Sequence, residues 1–349
     1  GKGGVRRQGS FVTASFHSHT DFLKGESMSL LRTTTVVAAV GVFLISGLLG
    51  EAQEATPIPP ELKPLQRFIG SWEQQVVSKP AAWTPEETTM TLISEGEWIL
   101  NGRVLQAKAE WSPIAQGHSG TKEVLVLTTY DPETKEYRQW HFGSDGGMPR
   151  GENLGHWDEA SKTFTWKGTF LHGITSTEVH RFTDDETHNW TLVFEDRNGD
   201  VWFDLEAKVK RKAVEASSDA ERKNGKAPPP EMKLLQQMVG TWQESNVSRV
   251  AERTPVETRT KTTLKAASIL GGHFIRCEVF DNEGKARAMM IRTFDAEQQA
   301  YRQWMFHPGS CGVESRGQWD EATNTLTLTD EGQEITSIAT PVSYTHLTL

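Results

Sequence analysis

The richest grouping of chemically able side chains is the run Tyr137-Arg138-Gln139-Trp140-His141-Phe142, which returns as Tyr301-Arg302-Gln303-Trp304-Met305-Phe306. Read as a strand, alternation sets Arg138, Trp140 and Phe142 on one face and Tyr137, Gln139 and His141 on the other. If Arg138 points into an interior with the two aromatics, its guanidinium needs a counter-charge, because an unpaired buried ion is strongly destabilising. A ligand carboxylate would supply one in bidentate fashion. If Arg138 lies at a rim or outside, it snorkels over Trp140. The sequence leaves that parity open, so the candidate ligand contacts are Tyr137, Arg138 and Trp140 with their counterparts Tyr301, Arg302 and Trp304.

Other chemistry is sparser. Residues 53–212 carry histidines at 118, 141, 156, 172, 180 and 188. His141 aligns with Met305 and His156 with Gln318, and no pair has metal-ligand spacing such as His-Glu-x-x-His. They read as scattered surface or hydrogen-bonded histidines, and neither a metal nor a cofactor is expected. Glu95, Glu97 and Glu110 flank a hairpin with Arg103, where a buried carboxylate can act as a general base. Gly-x-Ser-x-Gly elbows and phosphate loops are absent, and Asp196-Arg-Asn-Gly-Asp200 has the spacing of a hairpin turn rather than a calcium loop. The two cysteines, Cys277 and Cys311, give no disulfide framework or zinc site; they either pair across neighbouring strands or stay as buried thiols. A net charge of -9 argues against nucleic acid as a partner.

These residues lie within an internal repeat. Pro60-Glu-Leu-Lys-Pro-Leu-Gln-Arg-Phe-Ile-Gly-Ser-Trp72 returns as Pro230-Glu-Met-Lys-Leu-Leu-Gln-Gln-Met-Val-Gly-Thr-Trp242, an offset of 170 residues (240 − 70). Further collinear blocks end with Gly155-x-Trp157-Asp-Glu-Ala160 against Gly317-x-Trp319-Asp-Glu-Ala322, where the offset is 162 (319 − 157). A complete first domain is expected over 53–212 and a linker rich in charge, Ala and Pro over 213–229. A second domain follows over 230–341, truncated because the counterpart of roughly 179–212 is missing. Residues 28–52, from Met28, have signal-peptide grammar: Arg32, an apolar run from Val36 to Leu49 too short to span a bilayer, then small residues before a cut at Gln53. Export to the periplasm or outside the cell is expected, with no stable membrane span after cleavage. Residues 1–27 read as an untranslated or disordered leader, and 342–349 as a sequencing artefact.

The elements that must position the candidate residues are mostly strands. Leu62, Leu65, Phe68 and Ile69 recur at helical spacing between prolines and Gly70, predicting a short helix. Afterwards β-branched and aromatic runs punctuated by turn signals predict ten strands, near 72–79, 89–99, 103–112, 123–130, 136–143, 150–157, 163–171, 176–183, 188–196 and 201–211. Closure into an up-and-down barrel removes the edges of so many short strands and leaves room for a ligand. Twelve Trp against four Tyr fit such a core. The short helix, Gly70-Ser71-Trp72 and the meander resemble the calycin, or lipocalin-like, class. That resemblance implies that Trp72 and Trp242 close the barrel floors; the last strand reads Lys208 and Lys210 where lipocalins set an Arg over this Trp. The patterns Trp98-Ile-Leu-Asn-Gly-Arg103 and Thr129-Tyr-Asp-Pro-Glu133 to Trp140 resemble a family of exported bacterial proteins, domain of unknown function 1579. The expected fold is therefore all-β, two tandem lipocalin-like antiparallel barrels, each preceded by a short helix.

Three functions remain open. The first is an exported module binding a small, partly apolar or carboxylate ligand. The second is an enzyme, a hydrolase, lyase or isomerase, working through Glu97, Tyr137 or His141. The third is an interaction module with a filled barrel. Oligomeric state is not readable from the sequence.

Overall fold

A computed structural model of the protein describes residues 57–111, 122–147, 152–169, 173–212, 227–248, 258–308, 310–323, 325–330 and 333–339. The expectations for the leader, the signal peptide, most of the linker, the last eight residues, His118 and His172 lie outside these, as does the side chain of Cys311.

Copy one begins with a 3-10 helix, Pro60–Phe68, whose internal Pro64 cannot donate a backbone hydrogen bond and so favours the short form. Ten strands follow: β1 (Gly70–Lys79), β2 (Thr88–Ile99), β3 (Val104–Trp111), β4 (Lys122–Asp131), β5 (Glu136–Gly143), β6 (Asn153–Asp158), β7 (Thr163–Thr169), β8 (Thr175–Phe182), β9 (Thr187–Glu195) and β10 (Val201–Lys212). Each pairs antiparallel with the next, and β1 pairs with β10, so the sheet closes into a barrel without an edge. Leu62 and Leu65 of the helix sink into the core with Tyr137, Phe164, Trp166 and Phe182, closing one end. Copy two has a helix, Met232–Gln236, then β11 (Gly240–Ser248), β12 (Thr258–Ile269), β13 (Phe274–Phe280), β14 (Ala286–Asp295), β15 (Ala300–His307), β16 (Ser310–Asp320), β17 (Thr325–Asp330) and β18 (Gln333–Ala339). This meander is an eight-stranded sheet that, among the described residues, stays open at β11 and β18.

Register fixes which side chains face in. Starting from buried Trp72 on β1, the paired positions run through Ser94, Ala109 and Val124 and return through Val209 and Arg211 on β10. On β4 this puts Val124, Val126, Thr128 and Tyr130 inside and Leu125 and Leu127 outside. On β5 it puts Tyr137, Gln139 and His141 inside and Arg138, Trp140 and Phe142 outside.

The outer rows are nevertheless dry, because the copies pack through them. Leu125, Leu127, Trp140 and Phe142 share one buried cluster with Met289, Ile291, Trp304 and Phe306. The contacts are reciprocal. Trp140 meets Phe306 edge-on at 5.1 Å, and Phe142 meets Trp304 at 5.2 Å. Since Trp304 and Phe306 are the repeat counterparts of Trp140 and Phe142, the join has the self-complementary pattern of a two-fold interface within one chain.

Candidate functional site

On β4 of copy one the inner row is more exposed than the outer row, which the second copy covers. On β4 the outward Leu125 and Leu127 are 3% and 0% exposed, while the inward Val124 and Val126 are only half-buried. Ala107, Leu192 and Phe194, also inward, are half-buried as well. Around β1, β2 and β10 the inward Val76, Leu92 and Leu205 are buried, so the partly exposed stretch of the inner wall lies on the side of β3, β4 and β9.

Below this apolar wall lies a polar belt. Along β8 the inward residues are Ser176, Glu178, His180 and Phe182, paired across to Trp166 and Phe164 on β7 and to Leu192, Trp190 and His188 on β9. His180 Nε2 stands 2.7 Å from Glu178 Oε1, with side chains 10% and 18% exposed. His141 Nε2 is 2.7 Å from Gln139 Oε1, which also accepts from Asn153 Nδ2 at 3.4 Å. Trp190 donates to Gln74, and Gln74 in turn donates to Ser94. The Nδ1 atoms of His180 and His188 are buried without a partner. Burial pushes the Glu178 carboxyl up, but the charge and hydrogen bond of His180 and the charge of His141 outweigh it, holding Glu178 below the usual carboxylate range. Burial pushes His141 down, and His188 down to about 2, so His188 stays neutral. Among the described residues no group of three or more His, Cys, Asp or Glu is arranged to hold a metal.

The residues singled out in the sequence divide between the two faces. Tyr137 is inside, but its hydroxyl donates to the Glu61 carbonyl at 2.6 Å and burial pushes it up to about 12. Its counterpart Tyr301 reaches the Glu231 carbonyl at 3.4 Å, and burial raises it too. Arg138 is outside and finds its counter-charges in the protein: Asp131 at 2.6 Å, and Glu152. Arg302 repeats this with Asp295 and Glu314 at 3.3 and 2.7 Å. Trp140 and Trp304 belong to the join between copies. Trp72 and Trp242 donate to the Phe68 and Met238 carbonyls, next to the helix of each copy. The cation over Trp72 is not Lys208 or Lys210 but Arg211, 4.2 Å from the ring, because β10 turns Val209 and Arg211 inward and both lysines outward. Glu97, adjacent to inward Trp98, accepts from outward Gln106 at 2.7 Å. Cys277 is buried in the inward row of copy two.

Sequence reasoning missed Glu178, His180 and His188 as a cluster. Their signal exists in the i, i+2 spacing of Glu178, His180 and Phe182 on one strand and in His188 beginning the next. A polar row on a strand ordinarily reads as the solvent face, so the pattern points the wrong way.

Residues 227–348 match a family model described as protein of unknown function, DUF1579, so the expected likeness to that family is found over the second copy. No curated protein matches the chain. Among solved structures, the chain is similar to an S-type phycobiliprotein lyase, CPES, of Guillardia theta, at 11% identity over 44% of this chain and 93% of that one, with a TM-score of 0.34. It is also similar to Rv2717c of M. tuberculosis, at 11% identity over 45% and 100%, with a TM-score of 0.35. A third is a protein of unknown function from the DUF3598 family of Nostoc punctiforme, at 13% identity over 78% and 87%, with a TM-score of 0.28.

Proposed function

We propose that copy one binds a small, largely apolar molecule that enters the barrel at the end remote from the helix and presents a hydrogen-bond donor to Glu178. The observation that carries this reading is the set of partly exposed inward side chains Ala107, Val124, Val126, Leu192 and Phe194 on β3, β4 and β9 above a convergent polar belt, which is the usual make-up of a ligand pocket. Glu178 is held ionised, and His180 takes one of its oxygens, leaving acceptor capacity toward the barrel interior. The rival reading as an enzyme fits less well. Glu178 and His141 are pushed down and Tyr137 up, each away from neutrality, where a general acid or base works best. The signal-peptide grammar of residues 28–52 supports a reading in which this binding occurs in the periplasm or outside the cell. N-terminal sequencing of the mature protein, beginning at Gln53, would support that placement.

The neutral arylamine N-phenyl-1-naphthylamine is a suitable probe, since it pairs an apolar ring system with one N–H donor and brightens when desolvated. The wild-type chain is expected to give a saturable rise in its fluorescence. Val126→Trp, which fills the proposed pocket, should abolish the rise, and Glu178→Leu should weaken binding about tenfold or more. A signal unchanged by Val126→Trp, or no saturable signal at all, refutes the pocket.

A further inference from the structure

We infer that the concave face of copy two is a second binding site, built around Arg292, for an amphipathic carboxylate. Arg292 occupies on β14 the place that Thr128 holds on β4: each stands opposite a repeat-equivalent glutamine, Gln303 or Gln139, on the next strand. Its side chain is therefore inward, on the same face as Met290 and half-buried. Arg292 Nε donates to Gln303 Oε1 at 2.6 Å. Among the described residues the two terminal nitrogens meet only thioether sulfurs, Met238 at 3.1 Å and Met290 at 3.4 Å. Among the described residues no carboxylate contacts this guanidinium. That sets it apart from Arg138 and Arg302, each held between two acids.

Thioethers are weak acceptors, so the planar fork keeps its capacity for a bidentate partner, and a carboxylate matches its geometry. The surroundings fit an apolar tail. Cys277, Val279, Leu264 and Met290 belong to the inner cluster of copy two, and methionines adapt to an irregular chain. Of the polar belt of copy one, Gln139 keeps its counterpart in Gln303, but other places differ. Met305 stands at the place of His141, and strand register sets Ser337 opposite Leu328, where copy one sets Glu178 opposite Trp166. At these places the copies differ, with Glu178 facing inward in copy one and Arg292 in copy two. The inference is independent of the ligand assigned to copy one.

The test uses the whole chain carrying Val126→Trp, which shuts copy one, and compares dodecanoate with dodecanol by calorimetry. Dodecanoate is expected to bind once per chain and more tightly than dodecanol. Arg292→Met should lower its affinity about tenfold or more while leaving dodecanol unchanged. Gln303→Glu keeps the arginine but places a carboxylate against it, and should lower dodecanoate affinity in the same direction even if the first variant fails to fold. Equal affinity for the two probes, no dodecanoate binding, or a preference that survives both variants overturns the inference.

Discussion

His188 is 5% exposed, packs against the rings of Phe182 and Trp72, and is pushed by burial from 6.5 to about 2. Between those two values the unfolded chain binds a proton that the folded chain refuses, so stability falls as the pH drops below 6.5, by up to about 1.4 kcal/mol per pH unit for this group. His188→Gln is expected to flatten that slope, read from urea midpoints taken from neutral to mildly acid pH. Glu178 acts in the same direction lower down: its depressed carboxyl contributes stability that is lost as the pH falls through its folded value. Arg211 covers Trp72 and donates to the Ile69 and Asp185 carbonyls. Arg211→Ala loses a cation–π contact and charge-assisted hydrogen bonds, and should cost about 2 kcal/mol in the same denaturation measurement.

Among the elements, β6 shows why the repeated Gly-x-Trp block needs its glycine. Gly155 faces inward opposite Trp166, and a β-carbon there would lie 2.2 Å from that ring. The ring lies over the glycine because Trp166 stacks on Phe164 at 5.4 Å with its plane turned by only 9°. Gly155→Val should therefore displace Trp166 and destabilise copy one by about 2–3 kcal/mol, with a shift in tryptophan emission. In copy two the clash at Gly317 is with the Thr327 backbone oxygen. The strands themselves were legible: all ten expected in copy one are present, with ends moved by three residues at most. Period-2 patterning and turn residues are local signals, which is why they survive without tertiary context.

For the whole molecule, the decisive feature is that the two sheets meet through their outer faces. Trp140 and Phe142 are 3% and 0% exposed only because Phe306, Phe274 and Trp304 cover them. Arg276 adds a hydrogen bond to Gln106 at 2.5 Å across the join. Trp140→Ala should cost about 3–5 kcal/mol and loosen the coupling between copies, so that calorimetry resolves two transitions where the parent chain gives one. A single unshifted transition would mean that the join contributes little. This packing also explains the parity problem on β5 and β15. Both faces of these strands are buried, one by the barrel and one by the partner copy, so hydrophobicity does not separate inside from outside.

The repeat and the helix-plus-meander order of each copy follow from spacing and local propensity, and the sequence by itself determined them. Which face of a doubly buried strand lines the barrel depends on closure of β1 on β10 and on the docking of one copy against the other, both long-range. Tertiary structure alone therefore turned Arg138 and Arg302 outward to Asp131 and Asp295, brought Glu178, His180 and His188 together inside copy one, and set Arg292 against two thioethers and an amide in copy two. A charge is placed by where its counter-charge lies in space, and for these residues most of the partners come from other strands.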